Sequence, residues 1–405
     1  MLAFPQPRKR ATKASFTLAL SVALLVFVSF VLSLNLEPDK VQQEDRTTHV
    51  FLASSSPDIR PLFVALNSSL ISVKASNHRL KIVAFLPPHF AAQAESLIKE
   101  LIPHASDSFS VDSTSLDIEY IRNLPGVEPT RKTKRKELAD PYNFAAFYIA
   151  SLPKYSHLQK AVYLDTDVVV QGDLSLLSNL CCSAGTPVAA VEDCSQYLET
   201  YINVTRLRQL QKGNSLGSEH RLRDVGKLCV FNRGILVIDL NMWRTLKITT
   251  DIEKWMTVNS KADLYFEGVS QPPFLLALLR RYTKLDYSWN VRGLSRSSIS
   301  AREVEFLESQ GMSSEYLSKF AFRESSPFLS PFAEEANILH FNGKHKPWLQ
   351  RKPATEKNIF SRCGPHGRPC AEYWWHFISD DTNVKLSAWL HSRTESMGIG
   401  ALLRS

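Results

Sequence analysis

A short apolar segment that ends in two acidic residues constrains the fold of this chain more than any other feature. Ala161-Val162-Tyr163-Leu164 is uncharged and brief, and Asp165-Thr166-Asp167 follows it directly. An apolar run of this length is typical of a strand buried on both faces of a parallel sheet. Because ligands of open parallel sheets bind beyond the carboxyl ends of the strands, the segment predicts a site at that edge.

Strand-like and helical segments alternate on the N-terminal side of this segment. Residues 49–53 are typical of a strand, residues 60–72 carry apolar side chains at helical spacing, and residues 81–86 form a second strand-like run before two prolines. This alternation predicts a βαβ unit and an α/β fold with a mostly parallel central sheet. Further strands are expected at 234–238 and 338–341, and helices at 143–152 and 271–281. Beyond Asp380 the chain becomes polar and gives no clear core signal.

The two aspartates are candidate metal ligands. Asp165 and Asp167 are two positions apart, so in extended chain both carboxylates would point to one face. Paired carboxylates attract a divalent cation, which the phosphates of a nucleotide diphosphate can also bind. Such a cation would neutralise the charge of the leaving diphosphate. The alternative is a solvated turn after a strand, where Asp is common.

A late segment, Leu339 to Trp348, is a candidate second half of this site. His340 ends a strand-like run, and mixed carboxylate and imidazole ligation suits Mn²⁺ better than Mg²⁺. Gly343 would let the backbone approach a phosphate, and Lys346 would add positive charge. The alternative is a glycine turn with surface lysines.

A third segment places Asn232 and Gly234 at the start of an apolar strand. A polar side chain there could contact sugar hydroxyls, and glycine gives room for them. A bulge at a strand edge explains the same pattern equally well.

The N-terminus predicts the cellular compartment. Residues 15–36 are uncharged and mostly apolar, which is long enough to span a bilayer, and cations precede them while acids follow. We therefore expect a single-pass type II protein of the Golgi membrane with a lumenal catalytic domain. A cleaved signal peptide is the alternative, although its apolar region is usually shorter. The expected divisions are a cytoplasmic tail (1–14), an anchor (15–36), a stem (37–48), a catalytic domain (49–380) and a C-terminal tail (381–405).

Charge, cysteines and sequons agree with a lumenal domain. The net charge of +8 favours polyanionic partners, and a lumenal position argues against nucleic acid. Sequons at Asn67 and Asn203 and six cysteines suit the secretory lumen. The basic run at 131–136 either guides an acidic acceptor, supplies cations near the phosphates, or is a solvated loop.

Together these segments resemble glycosyltransferase family 8, and within it the plant galacturonosyltransferase-like branch. The resemblance covers roughly residues 49–376 and is carried by the segments at 163–174, 229–244, 271–279, 286–294 and 339–348. It implies a GT-A fold, a UDP-sugar donor, Mn²⁺ and retention at the anomeric carbon. The implied metal ligands are Asp165, Asp167 and His340, the implied diphosphate contacts are Gly343 and Lys346, and the implied sugar-side contact is Asn232.

The branch also implies substrates and disulfides. Galacturonic acid or another cell-wall sugar is the implied donor unit, and a cell-wall polysaccharide such as acidic pectin is the implied acceptor. Cys194 with Cys229 resembles a pairing of the branch, and Cys363 with Cys370 would close a short loop. Cys181 and Cys182 have no recognised counterpart, and adjacent cysteines rarely bond each other.

Three positions depart from the family pattern. Ala146 stands where the family usually has Arg, Ser55 where it has Asp, and Asp58 where it has an aromatic residue. The family uses the last two to hold uracil, so Ser54 and Ser55 are the expected nucleotide contacts here. The departures also motivate an alternative: a non-catalytic Golgi partner of an active homologue. Homo-oligomers or hetero-oligomers with related transferases stay open.

Overall fold

A computed structural model describes residues 47–73, 78–127, 136–212, 225–266, 268–320, 328–350 and 359–396. The predicted cytoplasmic tail and anchor lie outside these residues, as does the basic run up to Arg135. None of the helices in the described ranges is both long enough and apolar enough to cross a bilayer. The anchor therefore stays a prediction.

The strands occur where short apolar or alternating runs stand between turn residues. Their bounds are β1 Thr47–Ala53, β2 Arg79–Phe85, β3 Phe109–Asp112, β4 Lys160–Leu164, β5 Val168–Val170, β6 Val188–Tyr197, β7 Cys229–Phe231, β8 Ile235–Asp239, β9 Tyr282–Leu285, β10 Val291–Arg292, β11 Phe328–Ser330, β12 Ile338–His340, β13 Ser361–Cys363 and β14 Arg368–Pro369.

The helices lie mostly between these strands. Their bounds are α1 Arg60–Ser72, α2 Pro88–Leu101, α3 Ile118–Arg122, α4 Ala145–Tyr148, α5 Leu174–Leu177, α6 Leu198–Tyr201, α7 Val204–Lys212, α8 Leu240–Thr245, α9 Ile248–Ala262, α10 Gln271–Ala277, α11 Ala301–Ser309, α12 Ser314–Phe320, α13 Ala371–Trp375 and α14 Asp380–Ser396.

A mixed, mostly parallel sheet forms the centre of the fold. Its order within the described chain is β3-β2-β1-β4-β8-β6-β7, with β9 also paired to β6. β1 pairs in parallel with β2 and β4, β2 with β3, and β6 with β9. β8 runs antiparallel between β4 and β6, and β7 is antiparallel to β6. The predicted α/β class and central sheet are confirmed.

The central strands are buried on both faces, as the apolar segment predicts. In β4, Val162 and Leu164 pack into one apolar cluster with α1 and α2, and Tyr163 packs into the other with α9 and α10. Period-two alternation thus sends successive side chains to opposite helical layers. The polar residues that follow β4 are thereby fixed at the rim of a rigid sheet.

Two smaller sheets complete the fold. β12 lies between β10, to which it is parallel, and β5, to which it is antiparallel. β13 pairs with β11 and β14. Because β5 follows β4 after only Asp165-Thr166-Asp167, the first of these sheets adjoins the rim of the central one.

Helical segments differ in part from expectation. Residues 143–152 form only the short helix α4 between 3-10 turns at Pro141–Phe144 and Ile149–Ser151. The helix predicted at 271–281 ends at Ala277, and Arg280 beyond it has a φ of 59°. A left-handed residue cannot continue an α-helix, so the chain turns into β9 there.

The segment beyond Asp380, which gives no clear core signal in the sequence, forms the packed helix α14. In α14, Leu386 is fully buried, and the Trp389 indole N–H donates to the carbonyl of Pro57 at 2.9 Å. Most other side chains of this helix are exposed or half-buried, so few apolar residues mark its packed face. Two anchoring side chains dock the helix without a clear periodic pattern in the sequence.

The structure pairs all six cysteines. Cys194 joins Cys229 and Cys363 joins Cys370, as the resemblance implies. Cys181 and Cys182 are joined as a third pair, which contradicts the expectation that neighbours rarely bond; their peptide bond is cis, and their Cα atoms are 3.2 Å apart.

The two sequons differ in access. Asn67 lies within α1, its Nδ2 donates to the carbonyl of Phe377 at 3.1 Å, and Ser69 is fully buried. Asn203 precedes α7, whose Thr205 is exposed. Both asparagines are half-buried, and the two sequons differ at their third residue, which is buried in the first and exposed in the second.

Candidate functional site

The end of β4 and the start of β8 place Asp165 beside Gly234. Leu164 faces Ile235 in the antiparallel register, so Asp165, just after β4, meets Gly234, just before β8. The Asp165 N–H accordingly donates to the Gly234 carbonyl at 2.7 Å. Asn232 and Arg233, which precede Gly234, are carried to the same rim.

The pairing of β5 with β12 places His340 beside Asp167. His340 faces Val168 in this register, and the Phe341 N–H donates to the Asp167 carbonyl at 2.8 Å. Two segments far apart in the chain are thus fixed side by side by backbone hydrogen bonds.

The three predicted metal ligands converge. His340 Nε2 lies 3.2 Å from Asp167 Oδ1 and 3.7 Å from Asp165 Oδ2. The histidine side chain is 1% exposed, that of Asp167 17% and that of Asp165 26%. The carboxylates therefore face each other in a partly enclosed site, although the chain at 165–167 is a turn rather than the extended strand expected.

Hydrogen bonds determine which nitrogen of His340 carries the proton. The Gly234 N–H can only donate, and it donates to Asn232 Oδ1 at 2.8 Å. Asn290 Nδ2 also donates to that oxygen, at 3.3 Å, so Asn290 Oδ1 faces His340 Nδ1, at 3.1 Å. Nδ1 must therefore carry a proton, and Nε2 is the nitrogen that faces the two carboxylates.

This donor set fits a divalent cation. Buried polar atoms usually have partners, yet His340 Nε2 is buried and has none. A nitrogen that lies between two carboxylate oxygens needs positive charge beside it, which is supplied by its own proton or by a bound cation. Two carboxylate oxygens and one imidazole nitrogen suit Mn²⁺ or a similar ion, and Asn290 fixes the imidazole from behind.

Lys346 contacts one of these aspartates. Its Nζ donates to Asp167 Oδ2 at 2.5 Å and to the Phe341 carbonyl at 2.8 Å. Burial alone would raise the pKa of Asp167, but Lys346 and His340 hold that pKa well below its usual range. Asp167 is therefore ionised at neutral pH, and the predicted contact of Lys346 with a diphosphate stays a prediction.

Two glycines of the predicted site are required for different reasons. A Cβ on Gly234 would lie 2.3 Å from His340 Cε1 and 2.8 Å from Asp165 Oδ2, so only glycine leaves the ligands room. Gly343 has a φ of +130°, and a Cβ there would lie 2.4 Å from the Ser295 backbone. The space beside Gly343 is therefore filled by the Ser295 backbone. The predicted approach of a phosphate to Gly343 stays a prediction.

Arg233 was missed by the sequence argument. It is 9% exposed, and its buried Nη1 has no hydrogen-bond partner. That nitrogen lies 3.9 Å from Asp165 Oδ1, within ion-pair range but too far for a hydrogen bond. The position of Arg233 between the candidate residues Asn232 and Gly234 could have pointed to it. The position of Asn290 within the segment 286–294 could likewise have pointed to Asn290.

The residues after β1 are occupied by local contacts. Ser55 Oγ donates to the Asp140 carboxylate, and Ser54 Oγ accepts from the Ser56 N–H at 3.1 Å. Asp58 accepts from Arg60 Nε and Nη2 at 2.8 and 2.6 Å. Ala146 is 1% exposed in an apolar cluster and brings no charge to the site. The nucleotide contacts predicted for Ser54 and Ser55 stay predictions.

A side pocket adjoins the metal ligands. Asn232 and Asn290 line it on one side, and Asp193, Arg292 and Glu303 line it deeper in. Asp193 is ion-paired with Arg292, which also donates to Ser195 Oγ at 2.7 Å. Glu303 is paired with Arg296, and although burial opposes ionisation, this arginine holds the pKa of Glu303 below its usual value. The carboxylates of Asp193 and Glu303 are thus neutralised by arginines.

Comparison with known proteins gives a consistent picture. The sequence model of glycosyl transferase family 8 matches residues 49–352. Human glycosyltransferase 8 domain-containing protein 2 is 30% identical over 226 residues, which span 53% of this chain and 56% of that protein. Mouse glycosyltransferase 8 domain-containing protein 1 is 26% identical over 329 residues, 79% of this chain and 78% of that one.

One solved structure shares the fold. The bifunctional glycosyltransferase WbbM, in its apo form, aligns with a TM-score of 0.54 and 15% identity. The alignment covers 85% of this chain and 51% of that one. At this identity the likeness concerns the fold alone.

Proposed function

The chain belongs to glycosyl transferase family 8, and from this premise we propose that it transfers a sugar from a UDP-sugar to a glycan with the help of Mn²⁺. Its fold is the GT-A-like α/β fold with a mostly parallel central sheet that the sequence predicted. Membership in the plant galacturonosyltransferase-like branch stays a prediction.

One observation carries this proposal. Asp165, Asp167 and His340 present ligand atoms that all lie within 4.8 Å of one another, and His340 Nε2 is buried without a partner. Loss of any one of them would leave an incomplete donor set. Because Asn290 occupies the other ring nitrogen, Nε2 is the one that is left to bind a cation.

The chemistry follows from the charges at this rim. A bound divalent cation would offset the negative charge that develops on the departing diphosphate. Lys346, which faces Asp167, would add a second positive charge for the same group. Asn232 lies at the boundary between the metal ligands and the side pocket, where a donor sugar would contact its amide.

We propose that the anomeric carbon–oxygen bond to UDP breaks and that the acceptor hydroxyl attacks from the face that UDP leaves, with retention of the anomeric configuration. The departing UDP phosphate accepts the proton of that hydroxyl. The alternative, a double displacement, needs a free carboxylate as nucleophile. The pocket carboxylates are engaged: Asp193 by Arg292, Glu303 by Arg296, and Glu192 by Lys284 at 2.7 Å. Carboxylates held in this way are poor nucleophiles, which supports attack from the leaving-group face.

Donor sugar, acceptor and location are finer proposals. We propose galacturonic acid or another cell-wall sugar as the donor unit, and an acidic polysaccharide such as pectin as the acceptor. We propose the Golgi membrane as the site of action, since residues 15–36 are long and apolar enough to anchor the chain.

The test is ligand binding followed by a donor screen. Thermal unfolding of the purified protein should be shifted upwards by UDP with Mn²⁺, by an amount equivalent to about 2.7 kcal/mol at a hundredfold excess over Kd. UDP with EDTA and ADP with Mn²⁺ are the controls. A panel of UDP-sugars should then reveal Mn²⁺-dependent hydrolysis and transfer. No shift with UDP and Mn²⁺ together would refute the proposal.

A second candidate function is a non-catalytic partner of an active homologue. It is favoured by the residues after β1, because Ser55 and Asp58 are engaged by Asp140 and Arg60 and offer no aromatic surface for uracil. Such a protein would fold normally, remain unshifted by UDP and Mn²⁺, and co-purify with a related transferase. The same thermal assay therefore separates the two functions.

A further inference from the structure

We propose that Arg233 is a second cation for the diphosphate of the donor, acting beside Lys346, and that it weakens binding of the bare metal ion while strengthening binding of the nucleotide. The inference rests on the proposed function, since it assigns a role within the same site.

One nitrogen of the Arg233 guanidinium is unsatisfied. The side chain is 11% exposed and interacts with Tyr163 and Asp165, yet its buried Nη1 lacks a hydrogen-bond partner. Removing a charged donor from water without a partner is strongly unfavourable. A buried cation that faces Asp165 at 3.9 Å is therefore built to receive an additional anionic oxygen.

The charges of the site are arranged in two pairs. Each aspartate of the site faces one cation: Asp167 faces Lys346 at 2.5 Å, and Asp165 faces Arg233. A divalent ion that binds alone must approach both positive groups, so its affinity is reduced. A nucleotide diphosphate brings negative charge that offsets both cations and the metal together, so its affinity is increased.

The position of Arg233 also suits a contact with the diphosphate. Arg233 stands between Asn232, whose amide lines the side pocket, and Gly234, beside which the ligands pack closely. A planar guanidinium has donors enough to face Asp165 and still address a phosphate oxygen, which a lysine cannot do with the same geometry. Ala146, where the family resemblance leads one to expect an arginine, is buried among apolar side chains and provides no charge.

The experiment measures two affinities by titration calorimetry: Mn²⁺ alone, and UDP in saturating Mn²⁺. The variants are Arg233→Gln, which keeps size without charge, and Arg233→Lys. Arg206→Ala on the exposed surface of α7 is the charge-matched control. We expect Arg233→Gln to raise the Kd of UDP about 10- to 100-fold and to lower the Kd of Mn²⁺ alone severalfold. Arg233→Lys should lie between wild type and Arg233→Gln, and Arg206→Ala should change neither affinity.

Opposite signs separate this role from a structural one. A variant that merely loosens the site would weaken both affinities together, and that outcome would overturn the inference, as would a UDP Kd within twofold of wild type. If Arg233→Gln fails to fold, the same criteria apply to Arg233→Lys. Failure of wild type itself to bind UDP would instead refute the proposed function.

Discussion

Two acidic sites lie at the carboxyl ends of parallel strands, and they differ in how their hydrogen bonds are satisfied. Asp112 ends β3, and its carboxylate accepts from the Ser115 N–H and hydroxyl at 2.9 and 2.6 Å, from Tyr155 OH at 2.7 Å and from Lys154 Nζ at 2.9 Å. Asp165 follows β4, and its nearest cation, Arg233, is 3.9 Å away.

The difference teaches how to separate a structural carboxylate from a functional one. Burial alone would raise the pKa of Asp112, but its hydrogen bonds and Lys154 hold that pKa far below normal. This group is complete without a ligand. Near Asp165, by contrast, His340 Nε2 and Arg233 Nη1 both lack partners. Buried polar atoms without hydrogen-bond partners distinguish the candidate site better than its acidity or its position in the sheet does.

The largest effect expected is on activity. Asp165→Asn should reduce Mn²⁺-dependent transfer by roughly a thousandfold or more, because it removes a charged ligand where leaving-group charge is stabilised. Its free energy of unfolding should change by about 1 kcal/mol or less, since the carboxylate is 26% exposed and His340 and Arg233 lie 3.7 and 3.9 Å from it. Steady-state kinetics and urea unfolding measure the two effects. A large loss of stability with retained activity would show that Asp165, like Asp112, is a structural carboxylate.

Asp112→Asn should show the reverse pattern. Its free energy of unfolding should fall by about 3 kcal/mol, because an amide presents donors to Tyr155 and Lys154 in a buried position. The Kd of the folded protein for UDP with Mn²⁺ should equal that of wild type. Tyr155→Phe, which removes one hydrogen bond, is the graded control at about 1 kcal/mol.

Asn290 tests whether the histidine is held from behind. Asn290→Ala removes the acceptor of His340 Nδ1 and should weaken Mn²⁺–UDP binding about 10- to 100-fold, as changes behind a metal ligand commonly do. Asn290→Asp keeps the acceptor and should recover part of the loss. Calorimetry with both variants checks the prediction, and equal affinities for alanine and aspartate would argue against this role.

The smallest effect expected concerns pH. Asp112 has a folded pKa below its unfolded value of about 3.9, so its stabilisation is complete above that pH and is lost as the pH falls towards the folded pKa. Wild type should therefore lose stability between pH 5 and pH 3 more steeply than Asp112→Asn, by about 1 kcal/mol. Urea unfolding at the two pH values measures this, and parallel slopes would contradict it.

Much of the fold could be predicted because its central strands are short apolar runs. The segments at 49–53, 81–86 and 161–164 correspond to β1, β2 and β4, where burial on both faces leaves an unambiguous pattern. Helix α14 was missed because Leu386 and Trp389 provide most of its anchoring. The length of α4 was overestimated because the apolar residues of this segment are spread over one short α-helix and the 3-10 turns on either side of it.

The site was predictable only in part. Asp165 and Asp167 follow a strand and can be located from the pattern, as can His340 at the end of the late strand-like run. Asn290 and Arg233 could not be assigned, because their roles depend on side-chain contacts between segments. The amide of Asn290, for example, meets Asn232 across 58 positions of sequence.

The pairing of β5 with β12 also has a consequence for synthesis of the protein. Every strand of the central sheet precedes Tyr287, whereas Asp167 meets Lys346 across 179 positions. A nascent chain, or one shortened by a premature stop codon before Ile338, contains both aspartates but lacks the imidazole and the lysine. The candidate ligand set is therefore complete only after the ribosome has passed His340.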